Sequence, residues 1–321
     1  MKQASDVTVL GELNPDIVLS RVQGKPAPGR ERVVEDAIIT IGSSSAICAT
    51  ILARLGIRVR FVGMVGADWF GRFMVEALKN EGIATSVKVD PSVKTGVTVA
   101  ITGTDERMLI TFPGAMAAMK GRDVDLEAVL GSRHLHAGSF FLQTALQHDL
   151  PVILRTAVEA GMTTSLDPGH DPAERWAGLE NVLPWVTVLM LNEVELLGIA
   201  RTLTGDVGIQ NPHDAARAVC ETVREMVVVK RGKDGAFAVS RDGRLVESPP
   251  FRVDPVDTTG AGDAFDAGFI VQWLAGAPVE SRLAFANACG AIATTYPGGT
   301  PGFPSLERVM EFMAQRGRGI R

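Results

Sequence analysis

The chain has 321 residues, of which 46% are hydrophobic, enough to bury one large α/β core or two ordinary ones. A formal net charge of -5 and a pI near 5.6 exclude a general nucleic-acid surface, which needs clustered Lys and Arg to displace counterions from phosphates. Three cysteines, far apart at Cys48, Cys220 and Cys289, make neither a disulfide framework nor a CxxC metal site and read as buried small hydrophobes.

Met1 to Asp6 lack the basic start and apolar core of a signal peptide, and no apolar stretch reaches the roughly 18 residues of a membrane span. The expectation is a cytoplasmic protein without a membrane partner. Short β-branched runs then alternate with helical stretches: Val7 to Leu10, Val59 to Val65, His134 to Ala137, Thr163 to Asp167, Val186 to Leu191 and Met226 to Lys230. That alternation predicts a parallel sheet covered by helices. The continuous apolar run Val186 to Leu191 predicts a strand buried on both faces. Alternation also puts His134 and His136 on one strand face, but no Cys or carboxylate pattern completes a metal ligand set.

Two regions break the pattern, Ile17 to Ile41 and Gly96 to Phe112. Strand-like Arg32 to Val34, Ala37 to Ile41, Val97 to Thr102 and Met108 to Phe112 follow one another without a helix long enough to cross over. They predict a small, mostly antiparallel sheet that projects as a lid. No repeat, low-complexity segment or long polar linker divides the chain, and Tyr296 to Pro304 reads as an ordered loop before a final helix. One domain over residues 1–321, with a lid near 17–41 and 96–112, is expected.

The densest chemistry lies in Asp257-Thr258-Thr259-Gly260-Ala261-Gly262-Asp263-Ala264-Phe265, which follows strand-like Phe251 to Val253 and opens an apolar helix running towards Trp273. Small residues let the backbone approach a ligand closely, and N–H groups at a helix start attract anionic oxygens. Asp263, in the first turn, can accept a proton from an attacking hydroxyl while the amides of Gly260, Ala261 and Gly262 hold developing phosphoryl charge. A glycine turn before a helix is common, and an Asp there often only caps it. The whole stretch, however, resembles the C-terminal signature of the ribokinase-like, or PfkB-type, carbohydrate kinase family.

The resemblance covers nearly the whole chain and implies an α/β fold: a three-layer α/β/α sandwich with a mainly parallel central sheet and a small β-sheet lid. It implies an ATP-dependent phosphotransferase acting on a hydroxyl of a sugar or sugar-like molecule, with Asp263 as base and residues 260–262 as anion hole. Gly11 to Asp16 looks like the family's first strand end, where Asn14 and Asp16 would bind sugar hydroxyls; the alternative is a turn around Pro15. Val65 to Gly71 matches another family segment and reads as structural. Asn192 and Glu195 resemble the NxxE motif that places Mg2+ and phosphate, often through water, although Asn followed by Glu is also an ordinary helix start. Lys230, Gly232 and Gly235 resemble the strand and turn beside the nucleotide, Thr258 belongs to the same nucleotide loop, and Asn287 lies in the helix that borders the adenine. Family members often bind a monovalent cation nearby, which would set Asp257 and Thr259 near K+. Relatives often dimerise through the lid, so a homodimer is expected.

The chain departs from the pattern at its N-terminal signature. There the register fixed by Ala53 to Gly56 gives Gly42 and Ser43 and then Ile47 where the family carries a substrate-contacting Asn. Ile47 has no side-chain hydrogen bond to offer, so it either packs in the core or faces an apolar part of the substrate, and Ser43, Ser44 and Ser45 could supply hydroxyls. Ribose itself is therefore not implied. Thr111 to Ala115 and Gly138 to Gln143 could border the sugar, Phe140 and Phe141 either stacking on it or filling the core, and Arg107 could meet an anionic group or simply be solvated. No GxxxxGK[ST] loop or dinucleotide fingerprint is present. Alternatives within reach are a nucleoside kinase of the same fold and a non-catalytic sugar-binding sensor.

Overall fold

The structure is a computed structural model that describes residues 5–22, 28–29, 31–103 and 107–317. Strands β1 (Val7–Leu10), β2 (Pro15–Val22) and β3 (Asp36–Ile41) lead into α1 (Ser44–Arg54), β4 (Val59–Gly66) and α2 (Trp69–Asn80). Then come β5 (Ala84–Asp90), β6 (Val97–Gly103), β7 (Arg107–Phe112), α3 (Ala115–Ala118), α4 (Leu126–Leu130) and β8 (His134–Gly138). The middle of the chain gives α5 (Leu150–Glu159), β9 (Thr163–Asp167), β10 (Val188–Asn192), α6 (Glu193–Thr204), α7 (Pro212–Cys220) and β11 (Met226–Lys230). It closes with β12 (Ala236–Ser240), β13 (Leu245–Ser248), α8 (Ala261–Leu274), α9 (Val279–Ala293) and α10 (Leu306–Gln315).

A nine-stranded sheet in the order β13-β12-β11-β10-β9-β8-β1-β4-β5 forms the centre, parallel except where β12 pairs antiparallel with β11 and β13. Its strands alternate between two cores. Val188 and Met190 of β10 join Ile51, Phe265 and Phe285 on the face covered by α1, α8 and α9, whereas Leu189 and Leu191 join Ile153, Leu196 and Val219 on the face covered by α5, α6 and α7. That double burial is what a continuous apolar run requires, and it makes the three-layer α/β/α sandwich. The strand begins at Val188 rather than Val186, because Leu183 to Trp185 form a helical turn first. The three cysteines are free and buried. His134 and His136 are also buried and share Ser165 Oγ, each at 2.8 Å; burial lowers them to about 3 and about 4, so both are neutral core groups. No cluster of metal-ligating His, Cys, Asp or Glu occurs among the described residues.

The smaller sheet has the order β3-β2-β6-β7, with β2 and β6 parallel and the outer pairs antiparallel. One face carries the row Thr40, Asp16, Thr98 and Thr111; the other carries Ile39, Ile17, Val99 and Ile110, then Ala37, Leu19, Ile101 and Met108. Ile39, Met108 and Ile110 on that second face are 45%, 44% and 56% exposed. Arg32 to Val34 form no strand: Val33 is exposed and unpaired in the sheet, and pairing starts only at Asp36. Residues 23–27 and 30 of the expected lid segment, and the side chain of Arg107, lie outside the described residues. Val65 to Gly71 is structural as expected, since Asp68 caps α2 through the Gly71 N–H at 2.9 Å and ties Thr95.

Candidate active site

The carboxyl ends of the parallel strands converge on one cleft, where an open α/β sheet places its ligand sites. Glu12 and Asn14 follow β1, Ser139 follows β8, and Asp167, Asn192 and Lys230 end β9, β10 and β11. Above them, α8 begins at Gly260, whose left-handed φ of 72° only glycine adopts freely. Asp263 stands in the first turn and is partly exposed. Desolvation, then the charge of Asp167, pushes its carboxyl up to about 7, against the opposing pull of Lys230. A carboxylate poised there can take a proton from a hydroxyl near neutral pH.

On one side of this turn opens a cavity of about 790 Å³, lined by Lys230, Gly232, Gly235, Thr258, Ala261, Gly262 and Asn287, with Phe251, Val253 and Phe265 as apolar walls. Phe251 to Val253 are not a strand, contrary to expectation; they run irregularly along the cavity wall. Asn287 lines this cavity while its Nδ2 donates to Ser248 Oγ at 3.1 Å and to the carbonyls of Ser248 and Pro249. These bonds fix the cavity wall.

Asn192 and Glu195 are outside the lining of that cavity. They form a reciprocal cap on α6, the Glu195 N–H donating to Asn192 Oδ1 at 3.0 Å and the Asn192 N–H to Glu195 Oε2 at 2.9 Å. The helix-start reading of NxxE is therefore true of this chain, and it leaves Glu195 buried near Asp167, which with desolvation raises it to about 7.

Asp16 is buried against Gly42, where a Cβ would come within 2.1 Å of its Oδ1. Asn14 Nδ2 donates to Thr98 Oγ1 at 3.4 Å, while its Oδ1 is buried and accepts no hydrogen bond from the described residues. Ser43 sits at φ 62°, strained for a residue with a Cβ, and its Oγ accepts from the Asn14 N–H at 3.3 Å and donates to Glu12 O. Ile47 turns out to be core: it is 3% exposed and presses on Gly299, which in turn backs Gly260. Phe140 and Phe141 are core as well. Asp257 Oδ1 accepts from Thr259 N–H and Oγ, and Oδ2 from Gly298 N–H at 2.9 Å, so the turn before α8 is stapled to the loop beneath it.

Sequence reasoning did not single out Glu12, Ser139, Asp167 or Asp266, and it offered Ser45 only as a possible source of a substrate hydroxyl contact. Glu12 lies fully buried, accepting from Ser45 and from Ser139 Oγ at 2.7 Å, and burial raises its carboxyl. Lys230 Nζ donates to Asp167 at 2.8 Å and to Asp266 at 3.1 Å. The signal for this group was Lys230 itself, since an ammonium at the end of a buried strand requires a counter-charge.

Residues 5–306 match the family model described as pfkB family carbohydrate kinase. The chain is 32% identical over 308 residues to an ATP-dependent ribose-1-phosphate kinase of Halopiger xanaduensis, covering 95% of this chain and 97% of that protein. Ribokinase from Thermotoga maritima superimposes with a TM-score of 0.83 at 27% identity over 97% of this chain and 99% of that one. A candidate ribokinase II from E. coli, in complex with ATP and Mg2+, gives a TM-score of 0.83 at 25% identity over the same shares. No helix among the described residues is long and apolar enough to cross a membrane. The chain belongs to the pfkB family of carbohydrate kinases.

Proposed function

We propose that this protein transfers the terminal phosphoryl group of ATP to a hydroxyl of a sugar or sugar-like molecule, with Asp263 as general base. One observation carries the reading: Asp263, raised to about 7, stands in the first turn of α8, whose Ala261 and Gly262 line a nucleotide-sized cavity. The sugar hydroxyls would satisfy Asn14 Oδ1 and bond Asp16 and Ser43. Asp263 would orient the acceptor hydroxyl and take its proton as oxygen attacks phosphorus, and the N–H groups of residues 260–262 would hold the charge on the transferring group. Lys230, Gly232, Gly235 and Thr258 would border the nucleotide, with Asn287 supporting the adenine wall.

Hard oxygen donors at Asn192 and Glu195 suit Mg2+ held through water, and the ion would supply positive charge to the nucleotide's phosphates. With the Asp257 carboxylate engaged by Thr259 and Gly298, K+ beside Asp257 and Thr259 would take main-chain oxygens of that turn. The smaller sheet would act as a lid on one kinase domain, its Asp16 and Thr98 face over the sugar. Its opposite face, apolar from Ile39 to Ile110, supports a homodimer in which two copies cover each other. Use of ATP is the ground on which we assign the protein to the cytoplasm.

The test is ATP consumption against ketoses, aldoses, sugar acids, sugar phosphates and nucleosides. Turnover confined to nucleosides would replace the sugar reading with a nucleoside kinase. Tight sugar binding with no turnover would make the protein a sensor.

A further inference from the structure

The ammonium of Lys230 stands where the ends of β9 and β11 meet the first turns of α8. Nζ donates to Asp167 Oδ2 at 2.8 Å and to Asp266 Oδ1 and Oδ2 at 3.2 and 3.1 Å. The three side chains are 12%, 11% and 1% exposed. Two carboxylates crowd around one ammonium, and burial raises the Asp266 carboxyl well above the usual carboxylate range against the pull of Lys230, with the charge of Asp167 raising it further.

A buried ion pair stabilises a fold no better than apolar packing of the same volume, so its persistence asks for another explanation. Lys230 is not sealed in. It lines the nucleotide cavity, and its Nζ lies 3.5 Å from where a Cβ on Gly262 would be. An ammonium has three N–H donors, and the acceptors within their reach are Asp167 Oδ2 and both oxygens of Asp266, which fix where its charge sits. Fixed there, the charge stands next to Gly262 in the turn that opens α8.

We propose that Lys230 is a second contact for the transferring phosphoryl group, opposite the Gly260 to Gly262 amides, and that Asp167 and Asp266 are positioning residues that hold its ammonium there. This rests on the kinase reading above. In the step, the acceptor oxygen forms its bond to phosphorus as the bond to the leaving nucleoside diphosphate breaks, and the acceptor proton passes to Asp263. Lys230 keeps its protons throughout and acts by charge and hydrogen bonding alone. The charged and titratable groups around it are Asp167 on β9, Asp263 and Asp266 on α8, Glu195 on α6, His136 on β8 and Cys48 on α1.

Lys230→Met, Lys230→Arg and Asp266→Asn test it, each checked for folding by thermal melting and for ATP affinity by calorimetry. Lys230→Met is expected to lower kcat at saturating substrates by about 100-fold or more, with sugar KM changed by less than about threefold. It should also move the acid limb of kcat/KM to higher pH, because Asp263 loses the cation that holds its pKa down. Lys230→Arg should restore part of kcat. A folded Lys230→Met protein with kcat within about threefold of the parent and an unmoved acid limb overturns the proposal. Should Lys230→Met fail to fold, Asp266→Asn decides: about a fivefold or greater loss of kcat at unchanged sugar KM supports the proposal, and parental kcat refutes it. A parent protein that phosphorylates nothing would sink the kinase reading itself, whereas an active parent indifferent to these changes would sink only this inference.

Discussion

Gly299 lies directly behind Gly260: a Cβ on Gly260 would come within 2.6 Å of the Gly299 Cα, and one on Gly299 within 2.6 Å of Ile47 Cδ1. Ile47, Gly299 and Gly260 thus stack from α1 to the start of α8. Gly260→Ala must pay for a left-handed φ and displace backbone, so it should destabilise the protein by more than about 1–2 kcal/mol. Misaimed amides should lower kcat at least about tenfold, read by melting and by steady-state kinetics.

Asp263→Asn should lower kcat by about 100- to 10,000-fold while ATP and sugar still bind. The same variant should be more stable than the parent at pH 8. The folded carboxyl titrates near 7 against an ordinary 3.8, so its contribution is fully present below the lower value and is lost as pH rises through the upper one. Removing the titration should raise stability at pH 8 by on the order of 1–3 kcal/mol, a gain absent at pH 4. Melting curves at both pH values check it.

The parent's kcat/KM should fall about tenfold per pH unit on the acid side of a midpoint near 7, because only ionised Asp263 accepts the proton. A pH profile at constant ionic strength measures it.

Much of this site was legible because its residues are neighbours in sequence: the turn, the anion-holding amides and Asp263 lie within Asp257 to Asp263. Asp167 and Asp266 were not, since they meet Lys230 only after β9 and β11 end on the same edge of the sheet and α8 is laid across them. The central strands were readable from double-sided burial, whereas β5, β12 and β13 were not picked out. Ala84 to Asp90 is half polar, as an edge strand next to solvent can be, and β12 and β13 pair antiparallel outside the βαβ rhythm. Ile47 looked like a gap in the substrate site because a pattern of family positions does not reveal the loop at Gly299 that it packs against.

Asn287→Ala should cost about 1–3 kcal/mol, because Ser248 and Pro249 lose the amide that ties α9 to the end of β13. ATP KM should rise while sugar KM stays constant, since the defect is confined to the nucleotide wall.

Ile110→Asp places a carboxylate in the middle of the apolar row Ile39, Ile17, Val99 and Ile110. Light scattering should find the parent as a dimer and this variant as a monomer, since burying unpaired carboxylates at the interface costs several kcal/mol.

The most direct measurement is phosphorylated product formed from ATP across a panel of sugars, sugar acids, sugar phosphates and nucleosides, with Asp263→Ala run beside the parent. The account predicts a phosphorylated sugar-like product from the parent and a loss of at least about 100-fold in Asp263→Ala. Product formation by Asp263→Ala at the parental rate would contradict it.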